Sequence, residues 1–410
     1  MTRRVVITGV GLASPIGNDF ETIADALKQQ RHGIVTMPQW EEFQGLRTRL
    51  AGLVTGLDLE KRYPRKKVRT MGRVALLSTY ATDEAVQDAG LTPGELEDKQ
   101  TGIAYGSTHG SSTAQEKFCS ALFATHSLKG LEGSTYLKFM SHTCAANLAQ
   151  YFGTKGRIIP TSSACTSGSQ AIGYGYEAIR NGQQDIMLCG GAEEMHFTHA
   201  VIFDIMYATS VRYNDQPELG SRPYDKDRDG LVVAEGAGTV VLESLERAQQ
   251  RGAHIYAEVI GYGTNCDGSH VVTPSAEGMG AVIELALQDA AISAPEIDYI
   301  NAHGTGTEAG DIAESQAVYK VMGDRVPLSS TKSYTGHTLG ACGSIEAIFC
   351  LAMLRDQFVS CQRNLLAIDE RCAPLTFLRG DTRDADLRTV MSNNFAFGGI
   401  NTSLIFRRLE

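Results

Sequence analysis

Short apolar runs alternate along the chain with longer segments in which apolar side chains recur every three or four residues. A short apolar run bounded by turn residues is typical of a buried strand, and the longer spacing is typical of a helix with one buried face. In the first part of the chain this pattern predicts strands over residues 5–10, 101–106, 185–190 and 239–242, and helices over residues 19–29 and 141–152. The alternation predicts an α/β fold with a mostly parallel sheet.

The pattern starts again after residues 247–252, which we interpret as a hinge. It then predicts strands over residues 256–262, 297–301, 389–392 and 401–407, and helices over residues 278–290, 313–321 and 340–354. Because the strand–helix order resembles that of the first part, we expect a duplicated α/β unit, with one half over residues 1–250 and the other over residues 251–410.

The composition excludes several classes of protein. A chain of 410 residues with a net charge of -10 is not expected to bind nucleic acid generally. Its nine cysteines include no Cys-x-x-Cys pair, which favours a reducing cytoplasm over a disulfide framework or a zinc cluster. No apolar run reaches membrane-spanning length, and Gly9 and Gly11 interrupt the first one, which favours a buried strand over a signal peptide. We expect no membrane partner.

Two possible metal sites fail on their spacing. Asp225, Asp227 and Asp229 match the start of a calcium loop, but Gly236 stands at the twelfth position, where a glutamate is required. His196 and His199 lack a third ligand at a usual spacing. We therefore predict neither a calcium loop nor a metal site at this histidine pair.

The segment 157–179 predicts a nucleophilic cysteine. Cys165 follows a short apolar run and a turn of small polar residues, and a helical pattern begins directly after it. The free amides and dipole of a helix start favour negative charge, so we expect a thiol pKa shifted toward the thiolate and amides able to hold an oxyanion. The alternative is a buried, inert cysteine.

The second half supplies partners for this cysteine. His303 lies in the stretch NAHGTGT over residues 301–307, and Lys332 and His337 lie in KSYTGH over residues 332–337. A third polar, glycine-rich stretch, NNFAFGG, covers residues 393–399. Two histidines and a lysine at the junctions of loops with strands or helices are consistent with nucleophilic catalysis.

Taken together, these motifs resemble those of the elongating β-ketoacyl-acyl-carrier-protein synthases, and the resemblance extends over essentially the whole chain. It rests on the elbow cysteine, HGTGT at 303–307, GDIAE at 310–314, TKSYTGH at 331–337 and NNFAFGG at 393–399. The resemblance implies a thiolase fold, with two similar α/β halves in an α-β-α-β-α arrangement, and a dimer. It implies extension of fatty-acid, polyene or polyketide chains by two carbons.

The resemblance also implies roles for individual residues. Cys165 would take the acyl group, and His303 and His337 would hold the enolate formed when malonyl carrier protein loses CO2. Lys332 would pair with Glu314, with Asp311 in the same network, and the amides of Cys165 and Phe397 would form the oxyanion hole. The pantetheine arm and acyl chain would contact Thr273, Thr305, Thr307, His109 and Phe395. No cofactor is implied, because decarboxylation drives the condensation.

Further residues match binding positions of the family. Arg65, Lys66, Arg69 and Arg212 match positions that dock the acidic acyl carrier protein, although a basic run is also consistent with plain solvation. Asn301 and Glu346 match ligands of a structural monovalent cation. His109 is a polar residue at a position that often gates the acyl pocket in the family. Ala396 and Ile400 stand where a glycine and a threonine are usual. These departures lead us to expect that the acyl chain belongs to a secondary metabolite.

Three alternatives remain. An initiating synthase would carry Cys-His-Asn, whereas two histidines are present here. A thiolase acting on coenzyme A esters would need a second catalytic cysteine, and Cys372 lacks a glycine-rich setting. A chain-length-factor-like partner subunit would lack the nucleophile, although this protein would still be able to pair with such a subunit as a heterodimer.

Overall fold

The computed structural model describes residues 2–409. Its strands are β1 (Val5–Ala13), β2 (Ile34–Thr36), β3 (Leu50–Gly52), β4 (Thr101–Gly106), β5 (Ile158–Thr161), β6 (Ile186–Glu193), β7 (Val233–Ala234), β8 (Gly236–Ser244), β9 (Ala257–Cys266), β10 (Tyr299–Asn301), β11 (Leu328–Ser329), β12 (Phe358–Val359), β13 (Arg383–Asp384), β14 (Thr389–Phe395) and β15 (Ile400–Arg407).

The α-helices are α1 (Phe20–Lys28), α2 (Leu59–Arg62), α3 (Arg65–Val68), α4 (Arg73–Asp88), α5 (Pro93–Leu96), α6 (Ser112–Thr125), α7 (Gly133–Phe139), α8 (Thr143–Phe152), α9 (Ser167–Arg180), α10 (Phe197–Ile205), α11 (Leu245–Gln250), α12 (Ala276–Ala290), α13 (Glu308–Met322), α14 (Lys332–Thr335) and α15 (Cys342–Asp356). Short 3-10 turns cover Pro38–Glu42, Ala164–Thr166, Pro217–Leu219, Ala294–Glu296 and Leu339–Ala341. The first helix begins where the sequence predicts, because the Asp19 side chain accepts a hydrogen bond from the Thr22 amide as its N-cap.

The main sheet repeats one topology twice. Its ten strands run in the order β11-β10-β14-β15-β9-β1-β8-β6-β4-β5. When the five strands of each half are numbered in chain order, they lie across the sheet in the order third, second, fourth, fifth and first. The third–second and second–fourth pairings are parallel, and the fourth–fifth and fifth–first pairings are antiparallel. β1 joins β9 through only three residue pairs, beginning with Val5 and Val259. The duplication is confirmed, but the expectation of a mostly parallel sheet is wrong: the sheet is mixed, because the last strand of each half returns antiparallel to its neighbours.

Helices α9 and α15 form the central layer between the two halves of the sheet. They pack on each other, and α9 contacts strands of both halves. Two glycines permit this fit, because a Cβ at Gly173 would lie 2.2 Å from the Tyr262 ring and one at Gly175 would lie 2.2 Å from the Cys189 sulfur. Helices α4 and α8 cover the first half, and α12 and α13 cover the second. The resulting order of layers is the α-β-α-β-α arrangement of the thiolase fold. No helix within residues 2–409 is long and apolar enough to span a membrane.

Candidate active site

Cys165 lies at a sharp turn between a strand and a central helix. Strand β5 ends at Thr161, a 3-10 turn covers Ala164–Thr166, and α9 begins at Ser167. Ala164 has a φ of 49°, a left-handed conformation that costs energy for a residue with a side chain and is found at functional turns. The turn predicted from the sequence is therefore present, and it places Cys165 in a cavity of about 560 Å³.

Two histidines from the second half face the Cys165 thiol. The Nε2 atom of His337 lies 3.0 Å from its sulfur. The ring of His303 lies nearly perpendicular to that of His337, with their centroids 5.2 Å apart. One nitrogen from each ring and the sulfur lie within 4.8 Å of one another. The geometry thus brings together the three residues that the sequence predicts as the catalytic set.

The expectation of a lowered thiol pKa is wrong. Cys165 is only 7% exposed, and this burial raises its pKa to about 12, although the Lys332 ammonium opposes the shift. Desolvation of the thiolate outweighs the field of the helix start. The thiol is therefore protonated at neutral pH, and its reaction requires a proton acceptor, for which His337 is in hydrogen-bond range.

Lys332 pairs with Glu346, not with Glu314 as predicted. Its Nζ donates to a carboxylate oxygen of Glu346 and also lies 3.3 Å from Nδ1 of His303. Burial by itself lowers the pKa of Lys332, but Glu346 outweighs it and the pKa is raised. An ammonium that donates to Nδ1 leaves the proton of a neutral imidazole on Nε2. Lys332 therefore fixes His303 as a donor toward the cavity.

Both histidines are neutral. Burial, followed by the charge of Lys332, holds the pKa of each well below its usual value, and His337 lowers that of His303 further. A neutral imidazole donates through a single N–H and can accept at its other nitrogen. The pair can therefore donate hydrogen bonds to a developing enolate without either ring carrying a charge.

We expect loss of Lys332 alone to destabilise the fold. Lys332→Met leaves the Glu346 carboxylate buried without its counterion, which costs roughly 3–5 kcal/mol in such pairs. The double variant Lys332→Met/Glu346→Gln removes both charges and should regain most of the free energy of unfolding, measured by urea denaturation. Its activity should remain low, because His303 has lost the donor that orients it. Full activity in the double variant would contradict this role.

Glu314 instead holds the loop that carries His303. Its carboxylate accepts from the amides of His303 and Gly304, each at 2.7 Å, and from the Tyr224 hydroxyl at 2.8 Å. Asp311 belongs to the same support network, as predicted: it accepts from the Gly306 amide at 3.1 Å and pairs with Arg228. Burial raises the pKa of Glu314 to about 7 and that of Asp311 to about 6.

These raised values predict a pH dependence of stability. A carboxyl whose pKa is higher in the folded state contributes stability below its unfolded pKa and loses it as pH rises through the folded value. The free energy of unfolding should therefore fall between about pH 4.5 and pH 7 through Glu314. Glu314→Gln cannot titrate and should show a shallower slope over this range in urea denaturation at each pH. An unchanged slope would mean that this carboxyl stays ionised.

The predicted substrate-binding residues divide into two groups. Thr273, Thr305, Thr307 and Phe395 line the cavity that contains Cys165. The Phe397 side chain also lines it, and within residues 2–409 no protein acceptor is found for its amide or for that of Cys165. Free amides at the nucleophile and at a second residue of the same cavity are consistent with the predicted oxyanion hole.

His109 does not line this cavity. It lies in the loop after β4, where it forms a group with Glu193 at the end of β6 and His199 in α10, and one ligand atom from each residue lies within 4.8 Å of the others. Burial raises the pKa of Glu193 to about 7 and lowers that of His199 to about 3. The contact of His109 with the acyl chain therefore stays a prediction.

The predicted docking cations lie on the surface. Arg65, Lys66 and Arg69 are exposed on and just after the short helix α3, and within residues 2–409 none of them forms an ion pair. The guanidinium of Arg212 lies 3.7 Å from Asp229, which lines the cavity. The charges of Arg65, Lys66 and Arg69 are therefore available to a partner, whereas that of Arg212 is paired with Asp229 beside the cavity.

The oxygens of Asn301 and Glu346, the predicted cation ligands, already accept hydrogen bonds, from Thr331 in the case of Asn301 and from Lys332 and Asn394 in the case of Glu346. Asn301 is paired in register with Ser392, and Glu346 accepts from the Asn394 amide at 2.7 Å. The side-chain oxygens of Ser392 and Asn394 are buried without a hydrogen-bond partner. Such oxygens are suitable ligands for a hard cation.

Several supporting residues were missed from the sequence. Cys342, at the start of α15, donates its thiol to the Cys165 carbonyl at 3.2 Å, whereas Cys372, considered above as a thiolase-like second cysteine, does not line the cavity. Arg228 lies in the stretch compared with a calcium loop, and Tyr224 directly precedes that stretch. Its aspartates are used internally: Asp225 pairs with Arg222, and Asp229 accepts the amides of Val211 and Arg212. The alternation of acidic and basic residues in that stretch is the sequence signal that could have indicated these internal ion pairs.

Comparison with known proteins identifies the family. The N-terminal domain model of β-ketoacyl synthases matches residues 2–248, and the C-terminal domain model matches residues 256–366. The 3-oxoacyl-[acyl-carrier-protein] synthase 1 of Haemophilus influenzae is 41% identical over 407 residues, covering 99% of both chains. The protein of the same name from Escherichia coli K12 is 41% identical over 410 residues, covering 100% of both.

Solved structures agree. A β-ketoacyl synthase from Burkholderia phymatum STM815 superposes with a TM-score of 0.96 at 48% identity, covering 100% of both chains. A type II PKS ketosynthase, solved in complex with its acyl-carrier protein and bound to the hexaketide, gives 0.91 at 29% identity, again covering 100% of both. A ketosynthase in complex with its chain length factor from Xenorhabdus doucetiae gives 0.85 at 27% identity, covering 99% of this chain and 98% of that one.

The chain therefore belongs to the β-ketoacyl synthase family, whose members are condensing enzymes of the acyltransferase class. Within it, this protein is a β-ketoacyl-acyl-carrier-protein synthase, and the chain-length-factor alternative is not favoured.

Proposed function

We propose that Cys165 receives an acyl chain from an acyl carrier protein and that His303 and His337 then promote its condensation with malonyl carrier protein. The observation that carries this proposal is the meeting of the Cys165 sulfur with both imidazoles in one cavity, with His337 Nε2 at 3.0 Å. A chain-length-factor role is disfavoured, because the nucleophile and both histidines are present.

In the first step the Cys165 sulfur attacks the thioester carbonyl of the acyl carrier protein. The carbon–sulfur bond to pantetheine breaks, and His337 passes the thiol proton to the departing pantetheine sulfur. The free amides of Cys165 and Phe397 donate to the oxygen of the tetrahedral intermediate. The buried thiol needs this proton transfer because its pKa is raised to about 12.

In the second step the malonyl group loses CO2, and the electron pair of the broken bond forms an enolate. His303 Nε2–H donates a hydrogen bond to its oxygen, and His337 donates a second one in its Nε2–H tautomer, which forms when its single proton exchanges with solvent after the acylation step. The enolate carbon attacks the acyl carbonyl, the bond to Cys165 breaks, and its sulfur regains a proton from solvent. Thr305 and Thr307, which line the cavity and lie 2.9 Å apart through their hydroxyls, are placed to bind the pantetheine arm.

We propose that no organic cofactor takes part, because decarboxylation supplies the driving force. Asn301 and Glu346, with the neighbouring buried oxygens, would hold a structural monovalent cation that carries no step of the reaction. A cytoplasmic location is supported by the cysteines, all nine of which are free.

Arg65, Lys66, Arg69 and Arg212 would dock the acidic carrier protein. The triple variant Arg65→Glu/Lys66→Glu/Arg69→Glu should raise KM for the acyl carrier protein about tenfold at low salt, because it reverses three charges that steer association. Steady-state kinetics on acyl-pantetheine, which lacks the carrier protein, should be unchanged. Lys129→Glu, which reverses an exposed charge on another loop, is the control, and an equal effect there would contradict a specific docking surface.

A dimer is supported by the end of the sheet. Strand β5 is terminal in the strand order, and its Ile158 side chain is 41% exposed. An unpaired apolar edge strand is a template for pairing with another chain. The partner would be a second copy of this chain or a related chain-length-factor subunit. Light scattering on the purified protein distinguishes a homodimer from a monomer that requires a second, different subunit.

Intact-protein mass spectrometry tests the central proposal. The protein is incubated with saturated and polyunsaturated acyl carrier proteins, with and without malonyl carrier protein. We expect a mass gain on Cys165 that malonyl carrier protein discharges, and the chains that load decide between primary fatty-acid synthesis and a polyene or polyketide pathway. The absence of a mass gain with every acyl carrier protein would overturn the proposal in favour of the partner-subunit role.

A further inference from the structure

A second group of metal-ligating side chains lies at the carboxyl edge of the first half of the sheet. Strands β4 and β6 are parallel neighbours, so the segments that follow them meet at one edge. His109 lies just after β4, Glu193 is the last residue of β6, and His199 lies in the first turn of α10. One ligand atom from each lies within 4.8 Å of the others. Residues far apart in the sequence thus converge on one point.

Within residues 2–409, the hydrogen bonds around this group engage one nitrogen of each histidine ring and leave the other nitrogen without a partner. His109 has its Nδ1 2.9 Å from the Gly110 carbonyl oxygen, and the Ser112 hydroxyl lies 3.4 Å from the same nitrogen. That hydroxyl also lies 3.3 Å from Nε2 of His199. Each ring is therefore oriented by oxygen atoms at one nitrogen, which is the usual arrangement of a histidine that binds a metal through its other nitrogen.

Two of the free atoms are deeply buried. Nδ1 of His199 and Oε1 of Glu193 have no hydrogen-bond partner, and the two residues are 3% and 0% exposed. The second oxygen of Glu193 accepts from the amides of Thr108 and Gly340, so the carboxylate is fixed in place. Within residues 2–409 no lysine or arginine pairs with Glu193. A buried carboxyl without a lysine or arginine partner favours its neutral form, and a bound cation would stabilise its ionised form.

We propose that His109, Glu193 and His199 bind a divalent transition-metal ion, with Zn²⁺ as the best match. Two imidazoles and one carboxylate form a common three-residue zinc set that leaves a fourth position for water. A modest closure of the side chains would bring the ligand atoms to the distances of about 2.0–2.2 Å found in such sites. The ion supplies the missing positive charge to Glu193.

The active site needs separate control, because Cys165, His303 and His337 also form a compact group of metal-binding atoms. Binding is therefore measured in a Cys165→Ala background. The protein is dialysed against a chelator and titrated with Zn²⁺ against a chromophoric competitor. Co²⁺ is then used as a spectroscopic probe, since a four-coordinate ion absorbs visible light much more strongly than an octahedral one.

We expect one equivalent of Zn²⁺ to bind and a four-coordinate Co²⁺ spectrum to appear. Adding His199→Ala or His109→Ala should weaken binding at least tenfold, because removal of even an outer partner of a metal ligand costs about 10–100-fold. His109 is only partly buried, so its variant tests the site if His199→Ala fails to fold. His254→Ala, which removes an exposed histidine elsewhere, should bind as the parent does. No binding, or the same affinity in the His109 and His199 variants, would overturn the proposal.

Discussion

Replacing Cys165 with alanine is expected to abolish formation of the acyl-enzyme and to lower the rate of condensation by roughly 10⁴–10⁶-fold, as is typical for loss of a catalytic nucleophile. The reason is that no other thiol takes its place: Cys342 points at the carbonyl of Cys165, and its sulfur is engaged there. The measurement is intact-protein mass after incubation with an acyl carrier protein, followed by the rate of β-ketoacyl product formation.

A second substitution at the same position separates the two half-reactions. Cys165→Gln removes the nucleophile but leaves His303 and His337 facing the cavity, so malonyl carrier protein should still lose CO2. Release of labelled CO2 without condensation is the expected result. If Cys165→Gln were to form the β-ketoacyl product, the covalent mechanism would be wrong. Cys361→Ala, at a buried cysteine that does not line the active-site cavity, is the matched control and should keep acylation.

Removing either histidine is expected to slow decarboxylation by about 10²–10³-fold, because each variant loses one donor to the enolate oxygen. The two variants should differ in the first half-reaction. His337 lies 3.0 Å from the Cys165 sulfur, so His337→Ala should also slow acylation. His303 instead contacts Lys332, so His303→Ala should acylate more nearly as the parent does.

The measurements are the rate of acyl-enzyme formation by mass spectrometry and the rate of CO2 release. His254→Ala provides the control for removal of a histidine at the surface. Normal decarboxylation by both His303→Ala and His337→Ala would exclude the proposed role of the pair. Equal slowing of acylation in both would mean that His337 is not the sole proton acceptor for the thiol.

Several features could be predicted because they depend on local pattern. The elbow at Cys165 follows from a short strand, small residues and a helical stripe, and all three lie within one stretch of sequence. The repeated strand–helix order identified the duplication, because hydrophobic periodicity survives when individual residues diverge. The motifs around His303 and His337 predicted the catalytic set through the resemblance to β-ketoacyl synthases.

Other features depend on packing between distant segments. The partner of Lys332 is Glu346 on α15, and Glu314 serves the His303 loop, because the helices bring different carboxylates to the two sites. The pKa of Cys165 is raised because burial depends on everything that surrounds the thiol, whereas the helix start that would lower it is visible locally. The mixed sheet follows from the return of the last strand in each half beside its first strand.

The sequence by itself determined the α/β class and the duplication through its repeated local periodicity, and it predicted the nucleophile and its two histidines through short motifs. Only the tertiary structure decided which charges meet and which atoms stay unpaired. His199 lacked a third ligand at a usual spacing in the sequence, yet the parallel pairing of β4 and β6 brings His109 and Glu193 beside it. Long-range pairing of strands sets such contacts, and local periodicity carries no record of them.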